Sequence, residues 1–474
     1  MLGRGGSEQY EFFVGSLREL IPDEHVLVGV DRVLDLSWLG DEVAVLCSAE
    51  GGRPSIDPEA AVRLMLAGFL LGLVDDRRLM REAAVNVAIR WFARFGLAEA
   101  LPDHSSLTRI RQRWGAARCR RIFERTVTAC VAAGIAKGEV VHVDATLIRA
   151  DVSWEALAQG WVTTLDAENE PVDEAARDVA TPIAACRDGQ PSKQTGKGKK
   201  VCTTAPDATM ATSGRRQRLE PAYRQHTAVC DQAGVIVDVA ATTGELNAGG
   251  ELVPAIERVE ALTGTAVAVA RADAGYAYAK VYGALERRGI TAVIPPKAEP
   301  IRSPVPMRRC RSDARHDRLT WPSGKTLTAG RRVKHGRFFT ARAKDCRRCH
   351  LARRCLAGGR VNQAVVVGDD YPALLRARRR RERWRDHDKA VYARHRWRVE
   401  GVHGDAKTRH GLARAVRRGL ANIRIQVYLT AAAINLKRLA AAIAVMLCAF
   451  VAILIGPVAD TPRTRRASHA PASA

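Results

Sequence analysis

Aromatic residues are scarce. Only 5% of the 474 residues are Phe, Trp or Tyr, against 47% hydrophobic overall, so a core sized for two or three ordinary domains must come mainly from Ala, Val, Leu and Ile. Acidic residues are also in deficit, 51 Asp and Glu facing 75 Lys and Arg for a net charge of +24. An imbalance of this size favours a polyanionic partner through counterion release, and it bears on association rather than on fold. The opening residues MLGRGGSEQYEF lack an apolar stretch, and the cysteine count of 11 is odd; both set the expectation of a cytoplasmic protein without a disulfide framework. No Gly period, heptad run or dense cysteine frame occurs, which excludes collagen, coiled-coil and disulfide-scaffold classes. With 27% of residues charged beside the apolar content, the chain is not a disordered polyelectrolyte either.

The charge that is present is unevenly placed. Residues 1–100 hold 10 basic and 16 acidic side chains, leaving +30 for the remainder. Residues 302–360 carry 18 basic against 3 acidic residues, and residues 376–398 carry 11 against 3 with Trp384 and Trp397 interleaved. Basic runs with interleaved aromatics read as a polyanion-binding surface rather than as solvated linkers.

Residues 1–125 read as a helical domain. Asp57-Pro58-Glu59 is a helix start ahead of the run AAVRLMLAGFLLGLV, and Asp103 or Ser105 caps a second helix in DHSSLTRIRQR. Short helices with small turns are compatible with a helix-turn-helix, although the acidic balance leaves helical packing or dimerisation equally open. From Glu139 the period changes. Glu139–Leu147 reads as a buried strand, and residues 189–200 (GQPSKQTGKGKK) as a loop. His226–Cys230 and Val235–Ala240 form a hairpin around Asp231-Gln232-Ala233-Gly234. A helix over Leu252–Leu262, a strand over Ala266–Ala270, a helix over Ala277–Arg288 and a strand over Ile290–Ile294 complete a mixed α/β sheet.

Asp144 and Asp273 each lie at or near the end of a predicted strand, and Glu400 lies in a predicted arginine-rich helix. Three carboxylates brought together repel one another unless cations bridge them, and an all-oxygen set suits Mg²⁺ or Mn²⁺. Taken singly, each carboxylate is equally at home as a helix cap or an ion-pair partner.

The strings HVDATLIRAD (142–151), ARADAGYAYAKVYGALERRGITAVIPPK (270–297) and RHRWRVEGVHGDAKTRHGLARAVRRGLANIRIQVYLTAAAINLKRL (394–439) resemble, in order, the three blocks of DDE-type bacterial insertion-sequence transposases. The chain is most similar to the IS eleven-eighty-two group of the insertion-sequence-five-like set, with its InsH-type N-terminal domain. Further matches are Thr204–Ala208 (TAPDA), Pro221–His226 (PAYRQH) and PDHSSLTRIRQR. The resemblance implies a ribonuclease-H-like catalytic core over 139–297, completed by 391–440, in which Asp144, Asp273 and Glu400 bind two Mg²⁺ or Mn²⁺ ions. It implies cleavage at the ends of a mobile element and joining to target DNA, so the partners are double-stranded DNA, as terminal inverted repeats and target, and a second copy of the chain in a homodimer. Arg396, four before Glu400, and Lys407, seven after it, match the family's basic positions, and Arg394 and Arg398 flank them as DNA-binding candidates; Tyr392 is one position off the usual spacing. A relic that binds DNA without cutting it, and a nuclease with the same core, share these residues.

Residues 298–390 form a basic insertion that holds Cys346-Arg347-Arg348-Cys349 and Cys355. A C-x₂-C pair with a third thiol is most of a zinc site. Similar proteins carry a further cysteine where Trp321 stands, so the fourth ligand falls to Cys310, His335 or His350, or the segment is a metal-free knuckle. The last segment, 441–474, is an apolar helix and a disordered tail. The uncharged stretch Leu439–Ala459 is long enough to span a bilayer, but its alanine content and its continuity with the last block favour a buried or amphipathic terminal helix.

Overall fold

The computed structural model describes residues 15–46, 56–153, 157–160, 199–212, 219–297, 309–313, 318–333, 335–356 and 360–455. The front is helical: Val26–Asp31 (α1), Leu39–Ala44 (α2), Pro58–Leu71 (α3), Asp76–Val85 (α4), Val87–Phe92 (α5) and His104–Ala132 (α6). Asp57 caps α3 through the backbone N–H groups of Glu59 and Ala60, with Pro58 at the first helical position, and Asp103 caps α6 through Ser105. Both starts are where the sequence puts them. The last helix runs past residue 125, and Gly115 kinks it with φ 68°, a conformation that glycine reaches without steric cost.

The sheet contains Val140–Arg149 (β1), Thr209–Ala211 (β4), Glu220–Cys230 (β5), Ile236–Thr243 (β6), Val269–Ala272 (β7) and Thr291–Val293 (β8), while Leu157–Gly160 (β2) and Lys199–Cys202 (β3) pair separately. β5 runs antiparallel to β1 and β6, β7 runs parallel to β1, and β8 parallel to β7. Leu252–Thr263 (α7) and Ala279–Arg287 (α8) make the crossovers to the parallel strands. Of the loop read at 189–200, Lys199 and Lys200 belong to β3, and the rest lies outside the described residues.

The basic segment forms a second, antiparallel sheet ordered β13-β12-β11-β10-β9, from Arg311–Asp313 (β9), Arg318–Thr320 (β10), Thr326–Val333 (β11), Gly336–Thr340 (β12) and Ala364–Gly368 (β13). It has its own small core of Cys310, Leu319, Trp321, Leu327, Phe339, Ala341, Cys346 and Val367. Short helices Ala343–Arg347 (α9) and Ala352–Cys355 (α10) carry the cysteine cluster.

Tyr371–Glu382 (α11) and Asp386–His395 (α12) lead into a π-helical turn, Arg396–Glu400, followed by Gly401–Arg409 (α13) and the 36-residue Leu420–Ile455 (α14). The long helix α14 packs against α1, α3, α6 and β6, so one hydrophobic core runs from Ile21 in the front to Leu439. Polar ties reinforce this union. Asp76 in α4 pairs with Arg111 in α6 and with Arg417 before α14, and buried His410 Nδ1 lies 2.6 Å from the Phe69 carbonyl oxygen. Asp207, in the TAPDA string, accepts hydrogen bonds from the Leu420 backbone N–H and from the Tyr223 hydroxyl, the latter at 2.9 Å, and so caps α14 from outside the helix.

The expectation that the apolar stretch from Leu439 is a buried or amphipathic helix is overturned: the buried part of α14 precedes that stretch, and the described residues after Leu439 are largely exposed. Leu429, Ala432 and Ala433 are fully buried, whereas Val445 is 68% and Ile453 78% exposed. The helix simply outlasts the core it packs on. By length and composition 420–451 is apolar enough to cross a membrane, but its first half is a core helix. The tail from residue 456 lies outside the described residues.

Candidate active site

Parallel pairing of β1 with β7 sets Val143 opposite Ala272, so Asp144 and Asp273 follow side by side on adjacent strands. Period-two alternation sends His142 and Asp144 to one face of β1, and Arg271 and Asp273 to one face of β7. The Asp273 carboxylate accepts a hydrogen bond from the Gly275 backbone at 2.8 Å. A Cβ at position 275 would meet the same oxygen at 2.7 Å, so a larger residue there would displace the Asp273 carboxylate.

Burial pushes the Asp144 carboxyl up to about 7, and the negative charges of Asp273 and Glu400 add to the shift, opposed by the Ala145 backbone N–H and by Arg271. Asp144 therefore feels both of the other predicted carboxylates. They are not drawn into a closed cluster: Glu400 is exposed, with Oε2 3.8 Å from Arg396 Nε, and among the described residues no three His, Cys, Asp or Glu side chains converge closely enough to hold an ion. The donor set is nevertheless of the kind a hard divalent cation takes, being oxygen-only and solvent-reachable.

The helical stretch from Asp386 to Arg409 covers this face, burying Val391, His395, Val399, Val402, His403 and Ala406. Arg271 is buried with its guanidinium 3.8 Å from the Tyr392 ring centroid, and burial lowers its pKa to about 10 despite the attraction of Tyr392 and Asp273. Tyr392 in turn lies against Trp384, over which Arg381 stacks at 3.8 Å. The π-turn carries one residue more than an α-helical turn. A tyrosine eight residues before Glu400 is thereby brought round towards the same side that seven residues reach in an unbroken helix.

The basic candidates are employed differently. Arg394 makes a bidentate pair with Asp231, at 2.7 and 2.8 Å, and Arg398 donates to the Gln232 carbonyl at 2.8 Å; both hold the β5–β6 turn. Arg396 is 82% exposed. Lys407 is half-buried; burial lowers its pKa first, then Arg149, against a pull from Asp144.

Sequence reasoning did not single out Arg271, His142, Asp231 or His403. The first two stand two residues before Asp273 and Asp144, so strand alternation carried the signal. His142 Nε2 lies 2.9 Å from Asp231 Oδ1, and its ring is 5.6 Å from that of His395, whose two nitrogens have no hydrogen-bond partner among the described residues. Burial lowers the pKa of His142 to about 4, of His395 to about 2 and of His403 to about 3, so all three are neutral at physiological pH.

Two family models match the chain. A transposase domain (DUF772) matches residues 15–113, and a transposase DDE domain matches residues 320–440. The chain belongs to the insertion-sequence DDE transposases. A comparison with curated proteins and with solved structures finds no match. The DDE match takes in Glu400, Arg394, Arg396, Arg398 and Lys407, and it also takes in the cysteine segment of the transposase, whereas Asp144 and Asp273 precede it.

Cys346, Cys349 and Cys355 line one cavity with Trp321. Burial pushes the Cys355 thiol up, Trp321 pulls it down, and Cys346 and Cys349 push it up further. Of the proposed fourth ligands, Cys310 is buried in the same small core and His350 is exposed, while His335 sits in the β11–β12 turn. Among the described residues, neither these thiols nor Cys310 draw together into a group that could hold a metal ion, and structural zinc requires a closed tetrahedral set.

Proposed function

We propose that this transposase cleaves the ends of an insertion sequence and joins them to target DNA on a ribonuclease-H-like core. The observation that carries the reading is the parallel β1–β7 pairing, which sets Asp144 beside Asp273, with the charge of Glu400 felt at Asp144. The strand order β6-β5-β1-β7-β8, with only β5 antiparallel to the rest, supports the fold assignment. Asp144, Asp273 and Glu400 would hold two Mg²⁺ or Mn²⁺ ions, which supply activation of the attacking hydroxyl and stabilisation of the leaving oxygen of a phosphodiester.

The chain's own cations do the rest. Lys407, half-buried beside Arg149, and exposed Arg396 suit phosphate contacts at the rim of the site. Arg271, held on Tyr392, offsets part of the carboxylate charge. Arg394 and Arg398 serve DNA indirectly, by fixing the helix that carries Glu400. The partners are terminal inverted repeats and target duplex, engaged by a homodimer in the bacterial cytoplasm, and the element belongs to the IS eleven-eighty-two group. The division into a helical front over 1–125, core segments 139–297 and 391–440, insertion 298–390 and tail 441–474 is part of the same reading.

The test is strand cleavage by purified protein with Mn²⁺ on duplexes carrying the inverted repeats that flank the coding sequence. Cleavage abolished by Asp144→Ala, Asp273→Ala and Glu400→Ala supports the reading, and unchanged cleavage in the Asp144 variant sinks it. The outward turn of Glu400 towards Arg396 favours a second reading, a relic that binds DNA without cutting. Specific binding with no cleavage in Mn²⁺ or Mg²⁺ establishes that one.

A further inference from the structure

His403, on α13, is buried, yet its two ring nitrogens face two polar groups of the sheet. Nδ1 lies 3.6 Å from Asp144 Oδ2, just beyond hydrogen-bond length, and Nε2 lies 3.0 Å from Thr227 Oγ1. Thr227 is the residue directly opposite Asp144 in the β1–β5 register. Its hydroxyl already accepts a hydrogen bond from Gln225 Nε2 at 3.0 Å, and both Gln225 and Thr227 are buried. A hydroxyl with one lone pair so occupied is free to donate its proton to His403 Nε2. The network then assigns the ring proton to Nδ1, the nitrogen that faces Asp144.

We propose that Gln225, Thr227 and His403 form a relay that orients the Asp144 carboxylate for ligating a divalent cation, with His403 as the positioning residue. The inference rests on the reading of Asp144 as a metal-site carboxylate. An N–H that faces one carboxylate oxygen from 3.6 Å favours presenting the other oxygen to a cation, and loss of an outer partner of this kind typically costs roughly 10- to 100-fold in metal affinity. The ring's burial between α13 and β5 fixes its position. Strand pairing places Thr227 where a one-residue register slip would remove it.

The experiment measures Mn²⁺ binding to the full-length protein by isothermal titration calorimetry and electron paramagnetic resonance, alongside thermal melting. An asparagine amide at 403 can stand where Nδ1 stands, and a glutamine amide where Nε2 stands. His403→Asn is expected to bind Mn²⁺ close to wild type, whereas His403→Gln and His403→Phe are expected to bind it roughly 10- to 100-fold more weakly. Thr227→Val should weaken Mn²⁺ in the wild-type background and add nothing to His403→Phe. Equal affinity across all variants overturns the proposal, and so does an equal loss in the Asn and Gln variants or full additivity of Thr227→Val with His403→Phe. Asp144→Asn separates the two readings: if it binds Mn²⁺ as the wild type does, the metal-site reading itself fails, whatever the His403 variants show.

Discussion

Arg394 and Asp231 form a two-pronged ion pair, Nε to Oδ1 at 2.7 Å and Nη2 to Oδ2 at 2.8 Å, which joins the turn of the β5–β6 hairpin to the helix leading into Glu400. The same carboxylate is 2.9 Å from His142 Nε2, one residue from the strand's buried Val143 and two from Asp144. A guanidinium so engaged is a brace and leaves little to offer a phosphate.

Arg394 and Arg396 should therefore behave oppositely. Arg394→Gln is expected to lower the melting temperature and leave the salt dependence of DNA binding unchanged, because its charge is already matched. Arg396→Ala, at an exposed site, is expected to leave melting unchanged and reduce the slope of log affinity against log salt by about 1. Filter binding across a salt series with paired melts checks both.

Asn435 is fully buried, accepts from the Ile236 N–H at 2.9 Å and donates to the Ile236 carbonyl at 2.9 Å and to Thr126 Oγ1 at 3.3 Å. One side chain thus ties α14 to β6 and α6. Asn435→Leu would strand two backbone groups away from water and is expected to destabilise by about 2–4 kcal/mol, read from urea unfolding.

The pH dependence at Asp144 has a defined sign. A carboxyl at about 7 when folded, against an ordinary 3.8, holds its proton more tightly folded than unfolded. The metal-free protein should lose stability from this group as pH rises from about 4 to 7. Asp144→Asn should remove that fall, and saturating Mg²⁺ should remove it in the wild type. Melting curves of the two proteins with and without metal decide the matter.

Buried neutral histidines act in the other direction. His142, His226, His395 and His403 have pKa values lowered to about 4, 3, 2 and 3. Their contribution is fully present above pH 6.5 and is lost as pH falls below it towards those values. His395, whose nitrogens have no partner among the described residues, is the one that an apolar residue can replace: His395→Leu should reduce the loss of stability between pH 6.5 and 5, measured by urea midpoints.

The cysteine cavity makes a separate demand. Purified protein should carry less than one zinc per chain by elemental analysis. Trp321→Cys, which places a fourth thiol beside Cys346, Cys349 and Cys355, should raise zinc to one equivalent.

Much of this was legible in the sequence, and the limits have physical causes. The caps at Asp57 and Asp103 and the hairpin around Asp231 are written in local chemistry, and each lies where expected. β7 begins at Val269 rather than Ala266, since alanine-rich strands give weak edges to a hydrophobic pattern. Asp144 and Asp273 could be named because each ends a short apolar run. His403 and Arg271 could not, because their meaning arises from strand register and from a helix laid across the sheet. The roles of Arg394 and Arg398 were invisible for a similar reason: an arginine-rich string has the same composition whether its members face DNA or a carboxylate 163 residues away.

The union of α14 with α1, α3, α6 and β6 has a genetic consequence. A gene copy cut short before codon 420 encodes a front stripped of the helix on which α1, α3 and α6 pack. Its product should be cleared by proteases rather than survive as a competitor for the element's ends, so decay of this gene from its 3′ side yields silent copies and not trans-acting repressors.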